Sequence, residues 1–204
     1  MQDWAASKNL HINSQKTREM VVVRRSQASL ASKPSVTGVA RATSVTVLGV
    51  TIDERLTVSE HVDRILCSCS SSLYALRVLR AHGMPGQALH VVTRATTIAR
   101  LLYASPAWWG LLSAGEVDRI ERFLRLVKRA GFLPLDAPTA NSMAELADAA
   151  LFAAVIRDSE HVLRKFFQER PVSKYNLRSR PHPFELTSKN NKSFISRMLY
   201  KNAY

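Results

Sequence analysis

The sequence predicts an α+β fold with most of its mass in helices: a small, incomplete β portion, a helical bundle, and a basic, largely extended tail. Three observations carry this. Val45 to Ile52 is dense in β-branched residues over the length of one strand, and from Ser59 the apolar period turns helical, with Val62, Ile65, Leu66, Cys69, Leu73, Leu76 and Leu79 three or four apart. Ser113-Ala114-Gly115-Glu116 and Ser142-Met143-Ala144-Glu145 both have the form of a capping box. Beyond Pro171 aliphatic residues thin out and the helical period is lost. The divisions expected are 1–57, 58–131, 132–170 and 171–204.

Within 1–57, Asp3 is placed to cap a short helix through about Asn9, with Trp4 and Leu10 as its apolar anchors, and Thr17 to Val23 reads as a strand. Ser26 to Thr43 has a turn-and-loop composition around a short strand near Val36 to Ala40, and Asp53-Glu54-Arg55 turns the chain after the Val45 strand. So few strands bury little surface, so their open edges are expected to seek partners. Gly83 is expected to stop the first long helix and Pro85 to start the next, which runs with Leu89, Val92, Thr96, Ala99 and Leu102 on one face to Ser105-Pro106. Trp108 and Trp109 are adjacent, so at most one is a stacking platform for a base; packing beneath the helices is the alternative.

In the helix opened at Ser113, Val117, Ile120, Leu124 and Val127 form the buried stripe, and Arg122, Arg125 and Arg129 recur on another face with Lys128 at its margin. That face suits a nucleic-acid backbone; with Asp118 and Glu121 on the same helix, an ordinary salt-bridged face is the competing reading. The alanine-rich helix opened at Ser142 runs to Ile156 without a basic residue, so it is expected to pack and not to bind. From Arg157 the sequence holds eleven Lys and Arg against four Asp and Glu. Lys174, Arg178 and Arg180 are the tail's candidates for phosphate contacts, and Tyr175, Phe184, Phe194 and Tyr200 either stack on bases or pin the arm back on the domain.

A formal charge of +13 over 204 residues, with 46% apolar content, describes a globular chain whose expected partner is a polyanion, nucleic acid first. Cys67 and Cys69, one residue apart, suit neither a structural zinc site nor an easy disulfide and read as reduced, Cys69 as a small core residue. No signal region or long apolar run is present, so a soluble intracellular protein without a membrane partner is expected.

Leu48-Gly49-Val50-Thr51-Ile52-Asp53, Leu56, His61-Val62, Ile65 and Leu73-Tyr74-Ala75-Leu76-Arg77 with Leu79-Arg80 resemble the run that follows the catalytic core in reverse transcriptases of non-LTR retrotransposons, the jockey-like kind especially. Upstream, Trp4, Asn9-Leu10, Ile12-Asn13, Lys16-Thr17 and Met20 agree. So do Leu102-Tyr103-Ala104-Ser105-Pro106-Ala107-Trp108, Tyr175-Asn176-Leu177-Arg178 and Phe194-Ile195 through Tyr200 downstream, in the same order. The resemblance implies a remnant of the polymerase palm over 1–57, a thumb-like helical region over 58–131, and an RNA or RNA/DNA template-primer as partner. It also implies that Lys16 lies near the leaving pyrophosphate as a proton donor and that Leu48-Gly49 belongs to the hairpin gripping the primer end, where glycine lets backbone approach the sugar-phosphate chain.

The family's two magnesium ions are held by paired aspartates. Adjacent aspartates occur nowhere in these 204 residues, and Asp53 with Glu54 reads as an ordinary turn, so the chain by itself is expected to hold no cofactor and to lack polymerase activity. Read from their own surroundings, a lone lysine before a strand is a solvated charge and a glycine in a strand is a bulge. Three functions are therefore weighed: the C-terminal part of an RNA-directed DNA polymerase of a transposable element, a stand-alone nucleic-acid-binding module, and the product of a decayed element.

Overall fold

The computed structural model describes residues 2–13, 15–22, 35, 36, 38–170 and 182–201. Helix dominates and strand is minor, the α+β, mostly α class that the sequence predicts. The chain divides into two compact units, Met1–His61 and Val62–Tyr204.

In the first unit, α1 (Gln2–Ser7) carries Asp3 inside its first turn and ends at Asn9, whose φ is +54°. Its buried residue is Ala5, while Trp4 and Leu10, expected as anchors, are exposed. Of the strand expected over Thr17 to Val23, only β1 (Arg18–Glu19) pairs, in parallel with β2 (Ala40–Arg41); Val23 lies outside the described residues, as does most of the Ser26 to Thr43 loop. A two-residue ladder has little pairing energy of its own, and here a carboxylate does the joining. Glu19 accepts from the Val36 backbone N–H at 2.7 Å and from Arg41 Nη2 at 2.6 Å, and the Val36 bond, then Arg41, holds its carboxyl below the usual range.

The stretch expected as one strand is a hairpin. Its strands β3 (Ser44–Val47) and β4 (Val50–Asp53) pair antiparallel, Val45 opposite Ile52 and Thr46 opposite Thr51, around a two-residue turn at Leu48-Gly49. Both turn residues have positive φ, +48° and +85°, the arrangement that matches the twist of the flanking strands. The β-branched density was read correctly as β structure; the turn was hidden because its first position holds leucine instead of asparagine. Asp53 then organises the next corner, its Oδ1 accepting from the backbone N–H of Arg55 (2.9 Å) and Thr57 (2.7 Å) and its Oδ2 from the Thr57 hydroxyl (2.6 Å). Burial opposes ionisation there, but the Thr57 bonds outweigh it and the carboxyl lies below its ordinary value.

The second unit is built on α2 (Ser59–Ala81), whose Val62, Ile65, Cys69, Leu73 and Leu76 are buried in the predicted stripe. Gly83 stops it: at φ +85° its N–H reaches the Arg80 carbonyl and the Met84 N–H the Leu79 carbonyl, a Schellman closure that satisfies the orphan carbonyls. Pro85 is the cap and not the first residue of α3 (Gly86–Thr93), which continues through a π-helical turn at Arg94–Ile98 into α4 (Ala99–Leu101). The π turn has a reason in the packing. Leu89, Thr93, Thr97 and Leu101 recur every four residues and all are buried; in a regular α-helix such a row drifts around the axis by about 40° per step, and the wider turn takes up the drift.

The helix expected to end at Ser105-Pro106 ends earlier, at Leu101, and after left-handed Ala104, Ser105 opens α5 (Ser105–Trp108), followed by a 3₁₀ turn at Trp109–Leu111. Trp108 and Trp109 are both buried; their indole N–H groups donate to the Tyr103 carbonyl and to Asn141 Oδ1, so both pack beneath the helices. The capping box opens α6 (Ala114–Arg129) as predicted, Glu116 Oε2 accepting from the Ser113 backbone N–H at 2.7 Å. The helix closes at Gly131 with the same Schellman pattern, burying Val127 and Phe132. The second capping box is corrected: α7 (Ala140–Arg157) begins three residues earlier, with Thr139 as its cap and Ser142 donating its backbone N–H to the Thr139 hydroxyl.

Beyond Pro171 the described part is not an open arm. It holds α8 (Phe194–Tyr200), a bridge between Glu169 and Phe184, and a buried cluster of Val155, Phe167, Phe184 and Leu199 against which Phe194 and Tyr200 also pack. Three of the four rings named as base-stacking candidates therefore pin the segment back on α7; Tyr175 lies outside the described residues.

Candidate nucleic-acid interface

Two bonds fix how α2 and α6 are arranged. Near their starts Arg119 Nη2 meets Asp63 Oδ1 at 2.5 Å, and near their ends Arg80 Nη1 donates to the Ala130 carbonyl at 2.7 Å with its guanidinium 4.7 Å from the Phe132 ring centre. The helices thus run side by side in the same direction. Asp63, Ser70 and Arg77 each follow a buried residue (Val62, Cys69, Leu76), so at about 100° per residue they share one flank of α2. Arg119, Arg122 and Leu126 each precede a buried residue of α6 (Ile120, Phe123, Val127) and share the facing flank. The groove between them is bordered by exposed Arg77, Arg119 and Arg122, with Arg125 and Arg129 on the outer face of α6.

Arg122, Arg125 and Arg129 are all exposed on α6, and two exposed arginines that the sequence reading did not name as site residues, Arg77 and Arg119, lie along the same groove. The seven-residue spacing of Asp63, Ser70 and Arg77 was the available signal. The face is partly self-neutralised. Asp118 pairs with Arg122 one turn on and with Arg125 at 3.6 Å, and the Arg122 bond, then its charge, holds the Asp118 carboxyl below the usual range. Arg129 is exposed and has no carboxylate partner among the described residues. Lys128, expected at the margin, instead ties the Ala137 carbonyl to α6.

In the first unit, Lys16 is exposed in the turn before β1, its backbone N–H bonded to the Asn13 carbonyl and Oδ1 and its ammonium outward, so its own surroundings are those of a solvated charge. Leu48 is 86% exposed at the hairpin tip beside Gly49. A leucine held at positive φ strains the turn by about 1–2 kcal/mol. Leu48→Asn, which accepts that conformation, is expected to raise the hairpin's stability by about 1 kcal/mol, read as a higher urea midpoint at unchanged slope. An unchanged or lower midpoint would show that the exposed side chain stabilises the tip by another route.

Asp53 and Glu54 do not fit the family's magnesium site, because both Asp53 oxygens are taken by the turn it organises. Among the described residues, no group of three or more His, Cys, Asp or Glu is placed to hold a metal ion. Cys69 is a buried core thiol, as predicted, pushed up to about 11 by burial and donating to the Thr97 carbonyl; Cys67 is exposed and free. No described helix is long and apolar enough to cross a membrane. Lys174, Arg178 and Arg180 lie outside the described residues. Compared with protein-family models, curated proteins and solved structures, the chain finds no match.

Proposed function

We propose that the chain is the C-terminal part of an RNA-directed DNA polymerase, the reverse transcriptase of a non-LTR retrotransposon, and that it contributes template-primer binding while the paired metal-binding aspartates reside in an N-terminal polymerase part. The observation that carries the reading is the ordered series of matching motifs, whose Leu48-Gly49 is the tip of an exposed hairpin and whose Leu73 to Arg80 segment supplies one wall of a basic groove. Support comes also from the charge, since among the described residues Arg119, Arg122 and Arg125 share two paired carboxylates, Asp63 and Asp118, and Arg77 and Arg129 have no carboxylate partner. A stand-alone binding module is favoured by one feature, the self-contained closure of the helices of the second unit by their own caps.

The test is primer extension on an RNA template with magnesium, alongside binding of the same template-primer across a salt series. Binding that weakens steeply with salt and no incorporation above background is the expected result. Incorporation that survives purification and is lost in Lys16→Ala would overturn the assignment of catalysis to an N-terminal part. Absence of any salt-sensitive binding would overturn the nucleic-acid reading itself.

A further inference from the structure

His182 is 5% exposed, and both of its ring nitrogens are engaged. The Phe184 backbone N–H donates to Nδ1 at 3.2 Å, which makes Nδ1 the bare nitrogen. The ring proton is therefore on Nε2 and is donated to the Leu199 carbonyl at 2.9 Å, so one imidazole ties residue 182 to the end of α8. The walls around it are aromatic. Phe152 of α7 meets the ring edge-on at 5.8 Å and Phe184 stacks on it at 6.0 Å, with Phe184 in turn 4.9 Å from Phe167. A second ring proton would go to Nδ1 and face the Phe184 N–H, donor against donor, inside an apolar cage. Charges on the surrounding elements are engaged elsewhere. Arg164 lies over Phe184 at 4.7 Å and pairs with Glu169, and Asp148 of α7 pairs with Arg197 of α8. Glu145 and Arg157 of α7, Lys165 beside Phe166, and Glu185, Lys189 and Lys201 on the segment itself are exposed. Arg170 is tied by its backbone to Pro183, and His161 accepts from the Leu163 N–H. Among the described residues no carboxylate bonds the His182 ring, and the cation already over Phe184 adds to the cost of a second one beside it.

We propose that His182 is a proton-operated latch: the neutral ring holds residues 182–201 on α7, and uptake of a second proton releases them. Docking and the second proton compete for Nδ1. Docking is therefore complete where a free imidazole is neutral, above about pH 6.5, and is lost progressively as the pH falls below that value. Release is a local opening that uncovers Phe152 and Phe167, because the buried stripes of α2 and α6 are not part of this cluster and do not depend on the ring. The latch is independent of the nucleic-acid reading. His61, which is also buried, belongs to the first unit, so its titration leaves residues 182–201 untouched.

Hydrogen exchange of the full chain, followed peptide by peptide and corrected for the intrinsic pH dependence of exchange, tests this. Between about pH 7.5 and about pH 5.5, protection of residues 184–201 should fall about ten-fold, the change expected one unit below the free-imidazole value, while peptides from α2 and α6 keep theirs. His182→Asn retains an acceptor for the Phe184 N–H and takes up no proton. Its segment should be less protected than in the unaltered chain, yet equally so at both pH values. That variant keeps the Asp148–Arg197 pair, so an acid response surviving in it at full size would assign the opening to the carboxylate and overturn the latch. Equal protection of residues 184–201 at both pH values in the unaltered chain would overturn it as well. NMR of the His182 ring in the unaltered chain gives a reading that needs no variant. The ring should gain its charge together with the loss of protection, and a ring that charges while residues 184–201 stay protected would overturn the proposal.

Discussion

Arg197→Met is expected to destabilise the second unit by about 3–5 kcal/mol, the cost of stranding a buried carboxylate. Arg197 projects from α8, and its Nε and Nη2 reach Asp148 Oδ2 on α7 at 3.2 and 2.9 Å; Nη2 also donates to the Pro106 carbonyl and Nη1 to that of Lys192. Asp148 is almost fully buried, and its Oδ1 has no hydrogen-bond partner among the described residues, so Oδ2 and this one guanidinium carry its charge. Gly110 shows how closely the segment is seated, since a β-carbon there would run into the Arg197 guanidinium and the Lys192 carbonyl. Arg164 holds the same segment at the other end, stacked over Phe184 at 4.7 Å while bonding the Val155 and Ile156 carbonyls near the C-terminus of α7. Chemical denaturation gives the measurement. A loss below about 1 kcal/mol would show that the aromatic cluster, not the ion pair, holds residues 182–201 in place, and Asp148→Leu with Arg197→Met should recover most of the loss, because an apolar pair needs no buried compensation.

That pair also shows what the sequence could and could not reveal. The stripe of α2, the cap of α6 and the glycine stops at Gly83 and Gly131 were legible because each depends on residues within one or two turns of one another. Asp148 and Arg197 are 49 positions apart, and nothing local marks an acid on an alanine-rich helix as the receptor for a distant arginine. The tail was read as extended from its composition, yet rings at Phe184, Phe194 and Tyr200 gather on Phe152 and Phe167, a long-range burial that periodicity does not report. The hairpin at Leu48-Gly49 was implied by the resemblance but not by the residue pattern, which read one strand, because the turn tolerates a leucine in a conformation that propensity assigns to asparagine or glycine. At the candidate interface the Arg122, Arg125 and Arg129 spacing was visible from the sequence, and the partnership with Arg77 was not, because it requires knowing that α2 and α6 run parallel.

Replacing Lys174, Arg178 and Arg180 together by glutamine is expected to weaken single-stranded RNA binding on the order of fifty-fold at about 150 mM salt and to flatten the log–log salt slope by about 2, taking roughly 0.7 per phosphate for three contacts. The Arg122, Arg125, Arg129→Gln variant should do less on the same RNA. Asp118 already neutralises part of the charge at Arg122 and Arg125, so a phosphate arriving there displaces an existing pair, and only Arg129 contributes an uncompensated charge. Deleting residues 171–204 would not make this comparison, since it also removes Arg197 and half of the aromatic cluster and leaves Asp148 buried and unpaired. Side-chain replacement avoids that, because it leaves Arg197 and the rings of the aromatic cluster in place. Binding would be followed by anisotropy over a salt series for the unaltered chain and both variants, each checked by its melting curve. A tail variant with unaltered affinity and slope, beside an α6 variant that binds no RNA, would assign the single-strand affinity to the helical face and leave the tail basic residues as solvated charge.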